Sequence, residues 1–334
     1  MPAPVRRKTI VLVLALGAAL AYAAVAYAGN GGFAPETPSS PNAEGINDVY
    51  KWISIFAAAI FVVVEGSLLW FVFRYRRRGR PRTAEGPQIH GATRLELIWT
   101  AVPVLILFAI LAFIFYKLPG IKNVPSARAE GGPLVIRIDA HQFYWQFTYP
   151  NGTVSIDELH APVNRIVRVN IHSRDVDHSW WIPELGGKFD AIPGQQTHTW
   201  FQADQEGTYH GRCGEFCGVF HAEMAARVMI ESPDAYDSWV NHAGPLALGK
   251  NEWNGVCAKC HGPQGEGGYG PAIATNSTLI SPQSLRRLLE EGANQQGSIA
   301  NYMPPVGRGW NDRQFKALED YLDAVIYKGP RSGG

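Results

Sequence analysis

Three stretches of the chain are apolar without alternation: about residues 10–28, 53–73 and 95–116. The second and third each have about 20 residues, enough to cross a hydrocarbon core as a helix. They predict a two-helix transmembrane hairpin over 49–118. The first stretch follows Arg6, Arg7 and Lys8 and ends in Ala-Tyr-Ala before Gly29. A charged start, an apolar middle and a small-residue end predict a signal peptide over 1–28, with an uncleaved anchor as the competing reading. A Gly/Pro/Ser-rich linker over 29–48 follows.

Beyond residue 118 the pattern becomes that of a folded outer region. LVIRIDAHQFYWQFTYPNGTVSI (134–156) predicts two strands with a turn at Pro150, Asn151 and Gly152. RIVRVNIHS (165–173), THTWFQA (197–203), GTYHGRC (207–213) and MAARVMIES (224–232) predict four more. Several short strands separated by turn signals imply a β-sandwich or barrel over 119–243. SPDAYDSWVNHA, from Ser232, predicts a capped helix. A Gly/Pro/Leu linker near 244–249 then leads into an all-α domain over 244–334, with helices expected at 251–261, 281–292 and 311–327.

Charge orients this arrangement. The basic run RYRRRGRPR (74–82) lies between the two spans, and a short loop so rich in arginine belongs on the cytoplasmic side. Everything after about residue 118 is then outside. The formal net charge of +1 over 334 residues gives no indication of a nucleic-acid partner.

An outer location changes the reading of the four cysteines. Cysteines outside the cytoplasm usually pair as disulfides, and four permit three pairings. Here each pair comes with a histidine and a candidate methionine partner. CGEFCGVFHAEM (213–224) places Cys213, Cys217, His221 and Met224 in one run. Thiolate and thioether donors select copper over hard cations. A single blue-copper ion needs one cysteine, so two thiolates can bridge a second copper. That arrangement requires another histidine, and His178 in DVDHSWWIP (175–183), at a strand end before a turn, is the candidate. Structural zinc is the competing reading, since zinc also takes Cys and His, but the methionine and the spacing argue against it.

These two motifs together resemble the CuA domain of cytochrome c oxidase subunit II, over about residues 45–240. The resemblance implies a cupredoxin β-barrel following two transmembrane helices. It implies bridging thiolates from Cys213 and Cys217, imidazole ligands from His178 and His221, a weak thioether from Met224 and a backbone carbonyl from Glu215. Met229, in a strand-like run, is the rival thioether and reads as core. The resemblance also implies a role for the Glu215 carboxylate on a magnesium ion at the subunit I boundary; a solvated loop glutamate is the alternative.

CAKCH (257–261) fits the C-x-x-C-H pattern of covalent c-type haem attachment. Cys257 and Cys260 would form thioethers and His261 would ligate iron. Met303, in NYMPPVG, is the only methionine after this motif and the candidate sixth ligand. The last domain resembles a class I cytochrome c fused to subunit II, as in caa-type oxidases.

Two acidic residues belong to the membrane part. Glu96 matches a family position near a proton-entry route into subunit I, and equally suits a helix N-terminus. Glu65 lies inside the first span and stays unassigned. AHQFYWQFTY (140–149) resembles the family's aromatic patch beside copper, with Phe143 where the family usually has Trp. That departure turns attention to Tyr144 and Trp145 as electron-transfer candidates; β-core packing is the alternative for Trp145. His141, His172, His198 and His210 receive no ligand role.

The resemblance implies an electron-entry subunit. Electrons would pass from a donor, such as cytochrome c or an upstream complex, through haem c and CuA to haem in subunit I. Oxygen reduction and proton translocation would occur in that partner, with no catalytic residue in this chain. The alternatives are the corresponding subunit of a nitric oxide reductase, which differs only in its partner, and a quinol-oxidase-like scaffold subunit, which would lack the copper ligands.

Overall fold

The computed structural model describes residues 35–76, 86, 88, 90–125, 132–242, 245–293 and 302–330. The expected signal peptide and most of the basic loop lie outside these residues. The chain divides into two compact units, one built on residues 44–121 and the other on 38–43 and 122 onward.

The first unit is a pair of long helices, α1 (Pro41–Arg74) and α2 (Thr93–Lys122). Both are long and apolar enough to cross a membrane, and the apolar window of each is uncovered by other parts of the chain. They run antiparallel. Asp48 accepts a 2.6 Å hydrogen bond from Lys117, and Trp52 packs against Phe113 with ring centroids 5.0 Å apart. Both helices exceed the predicted spans. α1 begins at Pro41, inside the expected linker, because Ser40 and Asn42 are tied down: the Asn42 side chain donates to the Trp200 carbonyl at 2.5 Å. In α2, Glu96 Oε1 accepts from the Ala92 amide at 3.1 Å, which is the helix-terminal role.

The second unit begins with ten strands in two five-stranded sheets. One sheet has the order β3-β2-β1-β5-β8 and the other β4-β10-β9-β6-β7. The ranges are β1 Leu134–His141, β2 Tyr144–Thr148, β3 Val154–Ile156, β4 Glu158–Pro162, β5 Val167–Ser173, β6 His178–Trp181, β7 Phe189–Ala191, β8 Thr197–Phe201, β9 Gly207–Cys213 and β10 Ala225–Glu231. Strands β1 and β5 pair in parallel, as do β4 and β10. This is the predicted cupredoxin-like sandwich.

Period-2 burial explains the strands that the pattern predicts. In β5 Val167, Val169, Ile171 and Ser173 are buried while the residues between them are half-exposed. In β9 the same parity buries Tyr209, Gly211 and Cys213. Trp145, Phe147 and Trp180 pack edge to face between the sheets, with centroids 5.3 and 5.6 Å apart. Such pairs add about 0.5–1.5 kcal/mol each beyond their buried area.

Three expectations are corrected. Residues 134–156 form three strands, because the segment at Gln142 and Phe143 interrupts the first run. His178 opens β6 instead of ending a strand. The linker expected near 244–249 is mostly helix, α4 (Pro245–Glu252), which follows α3 (Pro233–His242).

The helical region continues from α4 through a π-helical segment, Trp253–Cys257, into α5 (Ala258–His261). Helices α6 (Pro282–Glu291) and α7 (Asp312–Tyr321) complete it. Asn311 and Gln314 form a reciprocal capping box at the start of α7. The helical core is continuous with the sandwich: Tyr144, Val154 and Ile156 belong to the same apolar cluster as Trp253, Leu289, Trp310 and Phe315.

Candidate metal and haem centres

The copper-type cluster forms where β6 begins and β9 ends. His178 is fully buried at the start of β6. Cys213 is the last inward-facing residue of β9, and β6 pairs with β9 directly, Trp180 opposite Cys213. The loop after β9 returns as a single 3-10 turn, His221–Glu223. Its close, a hydrogen bond from the Cys213 amide to the Met224 carbonyl at 2.9 Å, brings Met224 back beside the cysteines.

Ligand atoms of His178, Cys213 and Cys217 lie within 4.8 Å of one another. His178 Nδ1 is 3.8 Å from Cys213 Sγ. His221 Nδ1 is 3.6 Å from Cys217 Sγ. Met224, fully buried, places its Sδ 3.8 Å from Cys217 Sγ. The Glu215 carbonyl lies 3.2 Å from Cys213 Sγ. The other three predicted donors, from His221, Met224 and the Glu215 carbonyl, each lie beside one of the two cysteines. Met229 does not join them; its sulfur accepts from Thr208 on the neighbouring strand. All four cysteines are free.

The electrostatics suit a thiolate centre. The Cys213 thiol is held far below its ordinary range, first by the hydrogen bond from Cys217 and then, against burial, by His178. Cys217 is raised in turn, first by its hydrogen bond to Cys213, then by burial and by the charge on Cys213. Burial opposes protonation of His178, but hydrogen bonds to Asp175 and Cys213 outweigh it and raise its pKa. Two soft thiols, two imidazoles and a thioether in a buried pocket fit copper far better than a hard cation.

Supporting residues are less evident in the sequence. Asp175 Oδ1 lies 2.7 Å from His178 Nε2, and its other oxygen accepts from the Gln142 amide at 2.6 Å. Gln142 Nε2 donates to the Cys217 carbonyl at 2.6 Å. Asp175 opens the quoted DVDHS motif, so its position three residues before the histidine was an available signal. The Glu215 carboxylate is 3.3 Å from Lys188 Nζ and about half exposed.

The second centre is a cavity of about 250 Å³ in the helical region. Cys257, Cys260, His261 and Met303 all line it, with an apolar wall that includes Leu285 and Leu289. His261 Nδ1 is 2.8 Å from the Pro271 carbonyl. A ring nitrogen facing a carbonyl is a donor, so Nε2 carries the free lone pair, the arrangement expected of a metal-ligating imidazole. Met303 is held by paired backbone bonds with Ala293, at 3.0 and 3.1 Å. Burial pushes the Cys257 thiol up to about 12, which keeps it neutral. Two thiols, an oriented imidazole and a thioether around one apolar cavity fit a c-type haem.

The sandwich side of this cavity is formed by Gln142, Phe143 and Phe220. Phe143 packs edge to face on Phe220 (5.6 Å), and Phe220 on Tyr269 (4.7 Å). Tyr144 is not a surface group. It is fully buried, stacks on His141, donates to the Val306 carbonyl at 2.5 Å and accepts from Trp310 Nε1 at 2.9 Å. Trp145 is also fully buried, with its ring 6.1 Å from that of His178.

Comparison with known proteins places the chain in a family. Residues 28–118 match the transmembrane domain of cytochrome c oxidase subunit II and residues 154–232 match its periplasmic domain. Residues 244–322 match the family described as cytochrome c oxidase, cbb3-type, subunit III. Cytochrome c oxidase subunit 2 of Alkalihalophilus pseudofirmus is 34% identical over 71% of this chain and 72% of its own length. Its counterpart from Synechocystis is 30% identical over 70% of this chain and 83% of its own length. The periplasmic domain of the Bradyrhizobium japonicum oxidase subunit II is 35% identical, with a TM-score of 0.33, over 36% of this chain and 96% of that one. With two membrane-capable helices, a cupredoxin-like sandwich carrying the His/Cys/Cys cluster and an attached cytochrome c domain, this chain belongs to the cytochrome c oxidase subunit II family.

Proposed function

We propose that the chain is the electron-entry subunit of a caa-type cytochrome c oxidase. It would feed single electrons to a haem-bearing subunit I, where oxygen is reduced to water with proton translocation. A covalent c-type haem and a binuclear copper centre, when bound, supply one-electron chemistry with little rearrangement of their ligands. The reading places both soluble regions on the outer side of a two-pass membrane anchor.

The chain's own residues hold and insulate these groups. Cys213 and Cys217 would hold the copper centre as thiolates, with Nδ1 of His178 and of His221 as imidazole donors. Met224 and the Glu215 carbonyl complete the set as weak donors. Asp175 holds His178 in the tautomer that turns Nδ1 inward. Cys257 and Cys260 would anchor the haem, and His261 Nε2 and Met303 would supply ligands to its iron. Any magnesium ligation by the Glu215 carboxylate requires Lys188 to give way.

The observation that carries this reading is the convergence of His178, Cys213 and Cys217 within 4.8 Å, beside His221 and Met224. The test is metal and haem content of the purified full chain, with an EPR spectrum. Two coppers sharing one unpaired electron, and one haem that resists acid-solvent extraction, support the proposal. Zinc or a single isolated copper in folded protein defeats the copper assignment, and extractable haem defeats covalent attachment.

A further inference from the structure

Lys259 lies between the two thiols of C-A-K-C-H, yet its side chain leaves the helical region. Its Nζ donates to the Phe143 carbonyl at 2.9 Å and pairs with Asp157 Oδ2 at 2.7 Å. The pair is mostly withdrawn from water, with side-chain exposures of 21% and 17%. Asp157 is itself fixed: its Oδ1 accepts from the Trp145 amide at 2.9 Å, and its amide donates to the Trp145 carbonyl at 2.8 Å. The Gln142–Phe143 segment therefore has three further attachments. Gln142 holds the Cys217 carbonyl, Asp175 holds the Gln142 amide next to His178, and Lys259 holds Phe143 from the haem side.

We infer that Lys259 is a positioning residue that latches the haem-attachment helix to the copper-ligand scaffold, so that the two centres are held in one fixed geometry instead of on a swinging tether. Only a long side chain at this position could reach across while its neighbours line the cavity. The Lys259 ammonium satisfies a main-chain carbonyl and a carboxylate together, so the latch fixes orientation as well as distance. Beside it Phe220 packs on Phe143 and on Tyr269, so that edge of the copper region meets this chain's own helical region. The inference rests on the haem and copper reading given above.

The test uses the full chain in detergent. Lys259→Met leaves the buried Asp157 without its cationic partner, which threatens folding, so the double variant Lys259→Met/Asp157→Asn, which removes both charges, is the decisive one. Hydrogen exchange of the amides at 142–145 and 257–261 should rise about tenfold in the double variant. In loaded protein, the iron–copper distance distribution from pulsed EPR should broaden and the haem-to-copper electron step should slow about tenfold. The individual spectra of the two centres should stay unchanged, and Lys259→Arg should restore the wild-type distance distribution. Unchanged exchange and an unchanged distance distribution in the double variant overturn the latch. If the wild-type chain takes up no copper or haem, the proposed function fails, while the exchange measurement still decides the latch.

Discussion

Asp175 Oδ1 sits 2.7 Å from His178 Nε2, and this contact decides which ring nitrogen of His178 faces Cys213. A carboxylate accepts and cannot donate, so in the neutral ring Nε2 carries the hydrogen and Nδ1 presents a lone pair to the cluster. Replacement by Asn allows the reverse tautomer. Asp175→Asn should weaken copper binding about 10–100-fold, the usual effect of losing such a support. A competition titration against a chelator measures this; an unchanged affinity would show that His178 is oriented by packing alone.

Met224 is fully buried with its sulfur 3.8 Å from Cys217 Sγ. Leu has nearly the same volume, so Met224→Leu should cost under about 1.5 kcal/mol in folding. Copper stoichiometry should hold while the reduction potential of the centre rises, because a donor that favours the more positive oxidised state has gone. Voltammetry of the loaded protein reads the shift. Loss of copper instead would make Met224 a principal ligand.

Glu252 is fully buried, and its contact with Gln314 does not offset the loss of water around its carboxylate. Burial pushes its pKa from 4.5 to about 9. The group is thus neutral in the folded protein where the unfolded chain would ionise it. Its contribution to stability is complete below about pH 4.5 and is lost as pH rises through about 9. Glu252→Gln removes the titration. Between pH 5.5 and 8.5 the unfolding midpoint should fall more in the wild type than in the variant. Parallel pH profiles would mean that Glu252 is ionised in the native protein.

Tyr144→Phe removes a donor from the Val306 carbonyl and an acceptor from Trp310 Nε1. Leaving such groups buried and unpaired costs about 1–3 kcal/mol. Because Tyr144 lies in the cluster shared by sandwich and helices, near-UV signals from both regions should shift together in denaturant. A loss confined to the helical region would show that the two unfold separately.

The candidate ligand residues were legible because their chemistry is local. Cys213, Cys217, His221 and Met224 fall within twelve residues, and C-x-x-C-H is contiguous. Strands with clear alternation, β5, β9 and β10, were equally legible. Three-residue strands such as β3 and β7 are too short to establish a period, and the entry of His178 into β6 depends on pairing with β9. The supports were hidden for a different reason. Gln142 meets Cys217 across 75 positions, and Lys259 meets Asp157 across 102. Only the folded arrangement selects such partners.

The seam between sandwich and helices also has a consequence for synthesis. Tyr144 waits 166 residues for Trp310, and Gln146 waits 168 for Gln314. As the chain is made, the sandwich is complete first, with this face bare. Its closure depends on residues more than 160 positions later. A chain interrupted before residue 310 therefore presents an exposed aromatic and amide surface, which distinguishes it from one in which this seam has closed.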